Sequence, residues 1–243
     1  MAPAMAADAP LPSPQYRLDG DVAVVTLDDG KVNVLGHETL AGLHHALDRA
    51  EAEATAVVLA GGARAFSAGY DLAAMTESVE SMQALVEAGA RFLMRLYGCG
   101  LPTVAACTGH ALAGGALTLL ACDERLGPED QAAKIGLNEV AIGMGLPVFA
   151  VELARDRLAP AHLTRAVLGA VYDPAGAVEA GYLDRLVPAA AVVDQSVALA
   201  HDRATLRRGA VARTKAILRA GTIDHVMATL EADLAGVGLP DQA

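Results

Sequence analysis

The sequence predicts an α/β fold of right-handed strand–helix crossovers, closed by an all-helical C-terminal stretch. Three observations carry that prediction. Short continuous apolar runs end at glycine, as in TAVVLAG (55–61) and LPTVAACTG (101–109), which suits strands buried on both faces of a parallel sheet. Between such runs lie longer segments whose leucines recur three and four residues apart, the period of an amphipathic helix. After the second run, Gly109, Ala111, Ala113, Gly114 and Gly115 mark a sharp strand-to-helix turn.

The elements follow in order. DVAVVTLDD (21–29) is β-rich and follows YRLDG, so the two form a hairpin turning at Asp19-Gly20. Leu40, Leu43 and Leu47 predict a helix over 35–53, and 55–61 is a buried strand. A second helix is expected over 77–98 and another strand over 101–109, followed directly by the glycine turn and its helix. ERLGPE (124–129) reads as strand then turn. KIGLNEVAIGMGLP (134–147), with three glycines and a proline, reads as loop. A helix pair hinged near Pro160 covers 152–169. Within 171–188 come a turn at Asp173-Pro174, a short helix, Gly181 and a strand over Leu183–Val187. The remainder is helical. The expected organisation is a flexible Ala/Pro-rich tail over 1–14, a core over 15–190 and a helical C-terminal region over 191–243.

Composition narrows the function. Of 243 residues, 53% are hydrophobic and 19% charged, too apolar for a disordered chain and long enough for a substantial core. So little polar surface points to an oligomer. A net charge of −11 argues against a nucleic-acid partner, since phosphate backbones need clustered Lys and Arg. It leaves room for a phosphorylated small ligand held by a local basic patch. Cys99, Cys107 and Cys122 form no CxxC pair, and His44 and His45, adjacent on one helix, cannot share a face as metal ligands, so no metal site is expected. Free buried thiols, the absence of a signal-like N-terminus and an apolar run (ALAGGALTLLAC) too short to span a membrane suggest a cytoplasmic protein without a membrane partner.

The adjacent Gly114 and Gly115 raise a choice: they let backbones pack closely, or their amides hold a ligand. A second glycine loop, RAFSAGYDL (64–72), also follows a buried strand. These two loops, with IGLNEVAIGM (135–144) and DPAGAVEAGYLDRLVP (173–188), resemble in order and spacing the crotonase, or enoyl-CoA hydratase/isomerase, superfamily, over roughly Tyr16 to Ala220. The resemblance implies a crotonase-like spiral of ββα units. It also implies assembly as a homotrimer or a dimer of trimers, with the C-terminal region taking part. An acyl-CoA thioester would be the ligand, with coenzyme A part of the substrate and no separate cofactor.

The resemblance also implies roles. The backbone N–H groups of Tyr70 and Gly114 would hold the thioester oxygen as an enolate forms, the Gly114 amide sitting where a helix N-terminus favours negative charge. The backbone of Ser67, Ala68 and Gly69 would lie near the adenine. Arg64 and Lys31 are candidates for the phosphates and the pantetheine side; Lys215 and Arg219 are weaker ones. Tyr70 departs from the small residue usual at its position, and its ring would lean over the acyl pocket. Hydratases of the family use two glutamates. Here the first position is Leu117, and the second is Glu139, in IGLNEVAIG. One carboxylate suffices to take a proton from C2 of a 3-enoyl thioester and return it at C4, and AGGAL with IGLNE resembles the mitochondrial isomerase branch of the family at this point, so the resemblance favours a Δ3,Δ2-enoyl-CoA isomerase. Walls made by Leu117, Val140 and Ile142 would raise the Glu139 pKa by desolvation. The alternatives are a hydratase, with Glu77 or Glu80 supplying a second carboxylate, and an acyl-CoA-binding protein without catalysis. Asp71, Asp123 and His110 are expected to be structural. Met75, Met82 and Met94 suit either a pocket wall or ordinary core.

Overall fold

The computed structural model describes residues 14–236. The stretch read as an N-terminal tail lies, except for Pro14, outside the described residues. In chain order the elements are β1 (Gln15–Asp19), β2 (Val22–Thr26), β3 (Val34–Leu35), α1 (His37–Glu53), β4 (Ala56–Ala60), β5 (Ala65–Ser67), β6 (Gly69–Tyr70), α2 (Leu72–Glu77) and α3 (Val79–Tyr97). There follow β7 (Thr103–Ala106), β8 (His110–Leu112), α4 (Gly114–Ala121), β9 (Glu124–Pro128), β10 (Ile135–Gly136), α5 (Val148–Arg157), α6 (Pro160–Val167), β11 (Val171–Tyr172), α7 (Pro174–Ala180), β12 (Arg185–Val187), α8 (Val192–Ala204) and α9 (Arg208–Ala235).

The main sheet has the order β1-β2-β4-β7-β9-β12. The first pair is the expected antiparallel hairpin and the remaining pairs are parallel. Its register explains the continuous apolar runs. Val24 lies opposite Val58, and Val58 opposite Val104, and this column packs under α8 with Val192 and Ala200. One residue on, Val25, Leu59 and Ala105 point to the other face, into the main core with Leu43, Leu47 and Phe92. A sheet covered on both faces has no polar side to alternate with. A second sheet, β11-β10-β8-β5, and the two-stranded β3-β6 ladder stand where the glycine loops cross.

The structure differs from the sequence reading in two places. The helix expected over 77–98 is α3, but a further short helix, α2, precedes it: Ser78 between the two is extended, and its hydroxyl caps α3 by accepting from Ser81 N (3.0 Å). The earlier α2 begins at Asp71, whose carboxylate accepts from Ala73 N (2.9 Å). The 134–147 segment is not all loop: it contributes β10, and Val140–Ile142 forms a 3-10 turn.

Asp123 is structural, as expected, and it pins the C-terminal helix. Its carboxylate accepts from Lys215 Nζ (2.7 Å), Arg219 (2.6 Å) and Thr103 N (2.8 Å). Burial alone raises this carboxyl, and the Lys215 and Arg219 charges outweigh that and hold it below the usual range. Lys215 also donates to Leu101 O (2.7 Å), and Arg219 to Tyr97 O. The three cysteines are free and buried. No helix among the described residues is long and apolar enough to cross a membrane.

Candidate active site

The site is built where β6 meets the start of α4. The loop before β3 is tied first. Asp29 accepts from the N–H groups of Lys31 (2.7 Å), Asn33 (3.0 Å) and Val34 (3.3 Å). Asn33, at φ +57°, turns its amide to Ala65 O (2.9 Å) and Phe66 O (3.3 Å). Ser67 closes the clamp: its hydroxyl donates to Asn33 O (2.7 Å) and accepts from Gly69 N (3.2 Å). Ser67 is fully buried, so its side chain is scaffold. Ala68 N donates to Val32 O (2.9 Å), which sets the next residues against β3.

This scaffold aims one backbone donor. Asp71 N donates to Leu35 O (3.3 Å). Successive N–H groups of a strand point to opposite sides, so the Tyr70 N–H faces away from β3. Gly69 sits at φ +93°, and a β-carbon there would fall 2.9 Å from Ala113 Cβ and 3.1 Å from Gly114 N. Strand β6 and the first residue of α4 are therefore in direct contact. Ala113, a non-glycine residue at φ +50°, turns the chain from β8 into α4, a strained geometry of the kind that concentrates at functional sites. The Gly114 N–H lies in the first turn of α4, where helix geometry supplies no acceptor.

The two glycines have different reasons. A β-carbon on Gly115 would stand 2.2 Å from Ser67 O, so Gly115 is demanded by the packing of α4 on β5. At Gly114 the nearest atoms are Leu35 Cδ1 (3.3 Å) and the Tyr70 ring (3.4 Å), so packing is tight there but asks less.

Beside this turn is a cavity of about 170 Å³, lined mainly by apolar groups, among them Met75, Val86, Leu117 and Phe149. Tyr70, Ala68 and Glu139 line it as well. Glu139 opens the Val140–Ile142 turn, and its carbonyl accepts from Ile142 N and Met144 N (both 3.0 Å), which fixes its backbone. Its Oε2 is buried with no hydrogen-bond partner among the described residues, as is Asn138 Oδ1 next to it. Burial pushes the Glu139 carboxyl from 4.5 up to about 7. Glu139 is the one carboxylate among the described residues that line the cavity.

The structure thus brings Ala68, Tyr70, Leu117 and Glu139 to one cavity, with Gly69 and Gly114 immediately behind the turn. Ile142 lines it as expected, but Val140 is 41% exposed and does not; Val86 and Phe149 supply that wall. Met75 lines the cavity, whereas Met82 and Met94 are core. Glu77 and Glu80 are exposed and outside it, and Glu77 accepts from Ser81 Oγ (3.2 Å). His110 is held by its Nδ1, which accepts from Lys134 N (2.9 Å). Arg64 and Lys31 are exposed, neither lines the cavity, and neither side chain has a partner among the described residues. Lys215 and Arg219 are spent on Asp123 and are buried, which removes them as phosphate ligands. Sequence reasoning missed Asn33, Asn138 and Phe149.

The ββα spiral, the crossing glycine loops and the cavity between them define a crotonase-type protein. The family model for enoyl-CoA hydratase/isomerase matches residues 17–237, and the chain belongs to that family. It is 35% identical over 215 residues to a putative enoyl-CoA hydratase of Thermus thermophilus, covering 83% of this chain and 81% of that protein. It is 28% identical over 218 residues to the human mitochondrial enoyl-CoA delta isomerase 1, covering 88% of this chain and 72% of that one. Among solved structures, an apo enoyl-CoA isomerase of Mycobacterium tuberculosis superposes with a TM-score of 0.87 at 33% identity, covering 92% of this chain and 98% of that chain.

Proposed function

We propose that this protein is a Δ3,Δ2-enoyl-CoA isomerase in which Glu139 is the only acid/base. The observation that carries the reading is the single unpartnered carboxylate in a mainly apolar cavity, which it shares with the polar groups of Asn138 and Tyr70, with Leu117 where a hydratase of the family places its first glutamate. In the proposed reaction the thioester oxygen lies under the N–H groups of Tyr70 and Gly114. Ionised Glu139 takes a proton from C2 of the 3-enoyl group, and the electron pair of that C–H bond delocalises onto the thioester oxygen and C4. The two amides stabilise the resulting charge, a contribution typically of about 3 kcal/mol per donor. Protonated Glu139 then returns the proton at C4, and the double bond moves from C3–C4 to C2–C3. A carboxyl near pKa 7 can both accept and return that proton at neutral pH. Leucine at 117 cannot orient a water, which disfavours hydration.

The test is Glu139→Gln with 3-hexenoyl-CoA, following the absorbance of the conjugated 2-enoyl thioester. The reading predicts a loss of roughly 10²–10⁴-fold. Conversion that survives in the variant refutes it. The same reading carries a homotrimer or dimer of trimers. It is supported by Leu206, Ile217 and Leu218, exposed in or just before α9, and tested by light scattering of the eluted protein.

A further inference from the structure

The Tyr70 side chain is unusual in its surroundings. Its hydroxyl is buried with no hydrogen-bond partner among the described residues. It occupies a notch in α3: a β-carbon on Gly89 would lie 2.2 Å from the Tyr70 hydroxyl oxygen, 2.4 Å from Cε1 and 2.5 Å from Cζ. On the α4 side, Cε2 and Cζ stand 3.4 Å from where a β-carbon on Gly114 would be. The ring is therefore wedged between α3 and the amide turn by two glycines. No polar contact holds it; shape does. It cannot back away, because the α3 backbone is behind it. Val86, one turn before Gly89 on α3, lines the same cavity as the ring.

We infer that Tyr70, seated on Gly89, is the gauge that sets the acyl chain length, and that the protein takes short-chain thioesters of about six carbons. This rests on the acyl-thioester reading above. A chain anchored at the amide turn and running toward α3 meets the ring, whose position the notch fixes. The cavity of about 170 Å³ is close in size to an apolar cavity of about 150 Å³ that accommodates benzene, a six-carbon guest.

The experiment measures dissociation constants of saturated acyl-CoAs, from acetyl to dodecanoyl, by calorimetry on the full chain. Saturated acyl groups neither isomerise nor hydrate, so the readout does not depend on turnover. For the unmodified protein, affinity should rise about fourfold per methylene up to about six carbons and then stop rising. Tyr70→Ala should move the break to longer chains, with octanoyl-CoA gaining about 15-fold from two newly accommodated methylenes. Tyr70→Phe keeps the ring and should keep the break. Gly89→Ala should push the ring forward and move the break to shorter chains. Should Tyr70→Ala fail to fold, Tyr70→Leu, smaller than the ring but still apolar, should move the break the same way. A steady rise through dodecanoyl-CoA in the unmodified protein, or a break that does not move in the folded Tyr70 variant, overturns the gauge. A break that moves in Tyr70→Phe overturns it in favour of the hydroxyl. Failure of every acyl-CoA to bind overturns the thioester reading, and the gauge with it.

Discussion

Glu139→Gln should make the protein more stable above neutral pH, while removing its activity. The buried carboxyl has its proton affinity raised from 4.5 to about 7. A carboxyl with a raised pKa contributes its full stability below pH 4.5 and loses it as pH rises through 7, because the folded state resists ionisation and the unfolded chain does not. At about 1.4 kcal/mol per tenfold change in proton affinity, the ionised form costs folding about 3 kcal/mol. Glutamine has similar shape and no charge to bury. Thermal unfolding of both proteins at pH 4.5 and pH 8.5 separates the cases. At pH 4.5 their midpoints should nearly coincide. At pH 8.5 the glutamine variant should melt roughly 6–12 °C higher, at about 2–4 °C per kcal/mol for a chain of this size. A difference of equal size at both pH values refutes the reasoning, and so does a variant that is less stable at pH 8.5.

Four other outcomes follow from the same geometry. The kcat/KM for 3-hexenoyl-CoA should rise with pH and level off above an apparent pKa of about 7, since Glu139 must be ionised to take the proton; a flat profile from pH 5 to 9 contradicts it. Gly115→Ala should fail to fold or lose more than about 3 kcal/mol, because its methyl would meet Ser67 O at 2.2 Å, while Gly114→Ala, whose methyl meets nothing nearer than the Leu35 and Tyr70 side chains at 3.3–3.4 Å, should fold and lose less; urea titration of both checks this. Asp123→Ala leaves Lys215 and Arg219 buried without their carboxylate and should cost about 3–5 kcal/mol in the same titration. Arg64→Ala and Lys31→Ala should each weaken acyl-CoA binding about two- to fivefold in low salt, the size of an exposed ion pair, and the part due to the 3′-phosphate should vanish with the dephospho-CoA thioester.

Much of the site is legible in the sequence because its chemistry is local. The small residues around Gly114, the loop ending in Tyr70 and the IGLNE stretch each announce a backbone turn or a carboxylate within ten residues. Leu117 is legible for the same reason, one helical turn after Gly114. What escapes is set by pairs distant in the chain. Gly89 looks like an ordinary weak point in a helix until Tyr70, nineteen positions earlier, is found lodged in it. Lys215 and Arg219 look like a basic patch, yet the fold spends both on Asp123, about ninety residues away. Asn33 has no motif, and only its bonds to Ala65 and Phe66 reveal that it holds the turn. The missed helix α2 is six residues long, too short for periodicity to declare itself, and its cap at Asp71 reads equally as a turn.

The central claim is that one carboxylate beside two amides moves a proton and adds no water. The direct test is the ratio of two initial rates from one preparation: appearance of the conjugated chromophore from 3-hexenoyl-CoA, and its decay from 2-hexenoyl-CoA. A ratio far above one, with the first rate abolished in Glu139→Gln, is the predicted result. Decay of the 2-enoyl thioester as fast as or faster than its formation contradicts the account, and would mean that Glu139 holds a water with a partner outside the cavity's lining.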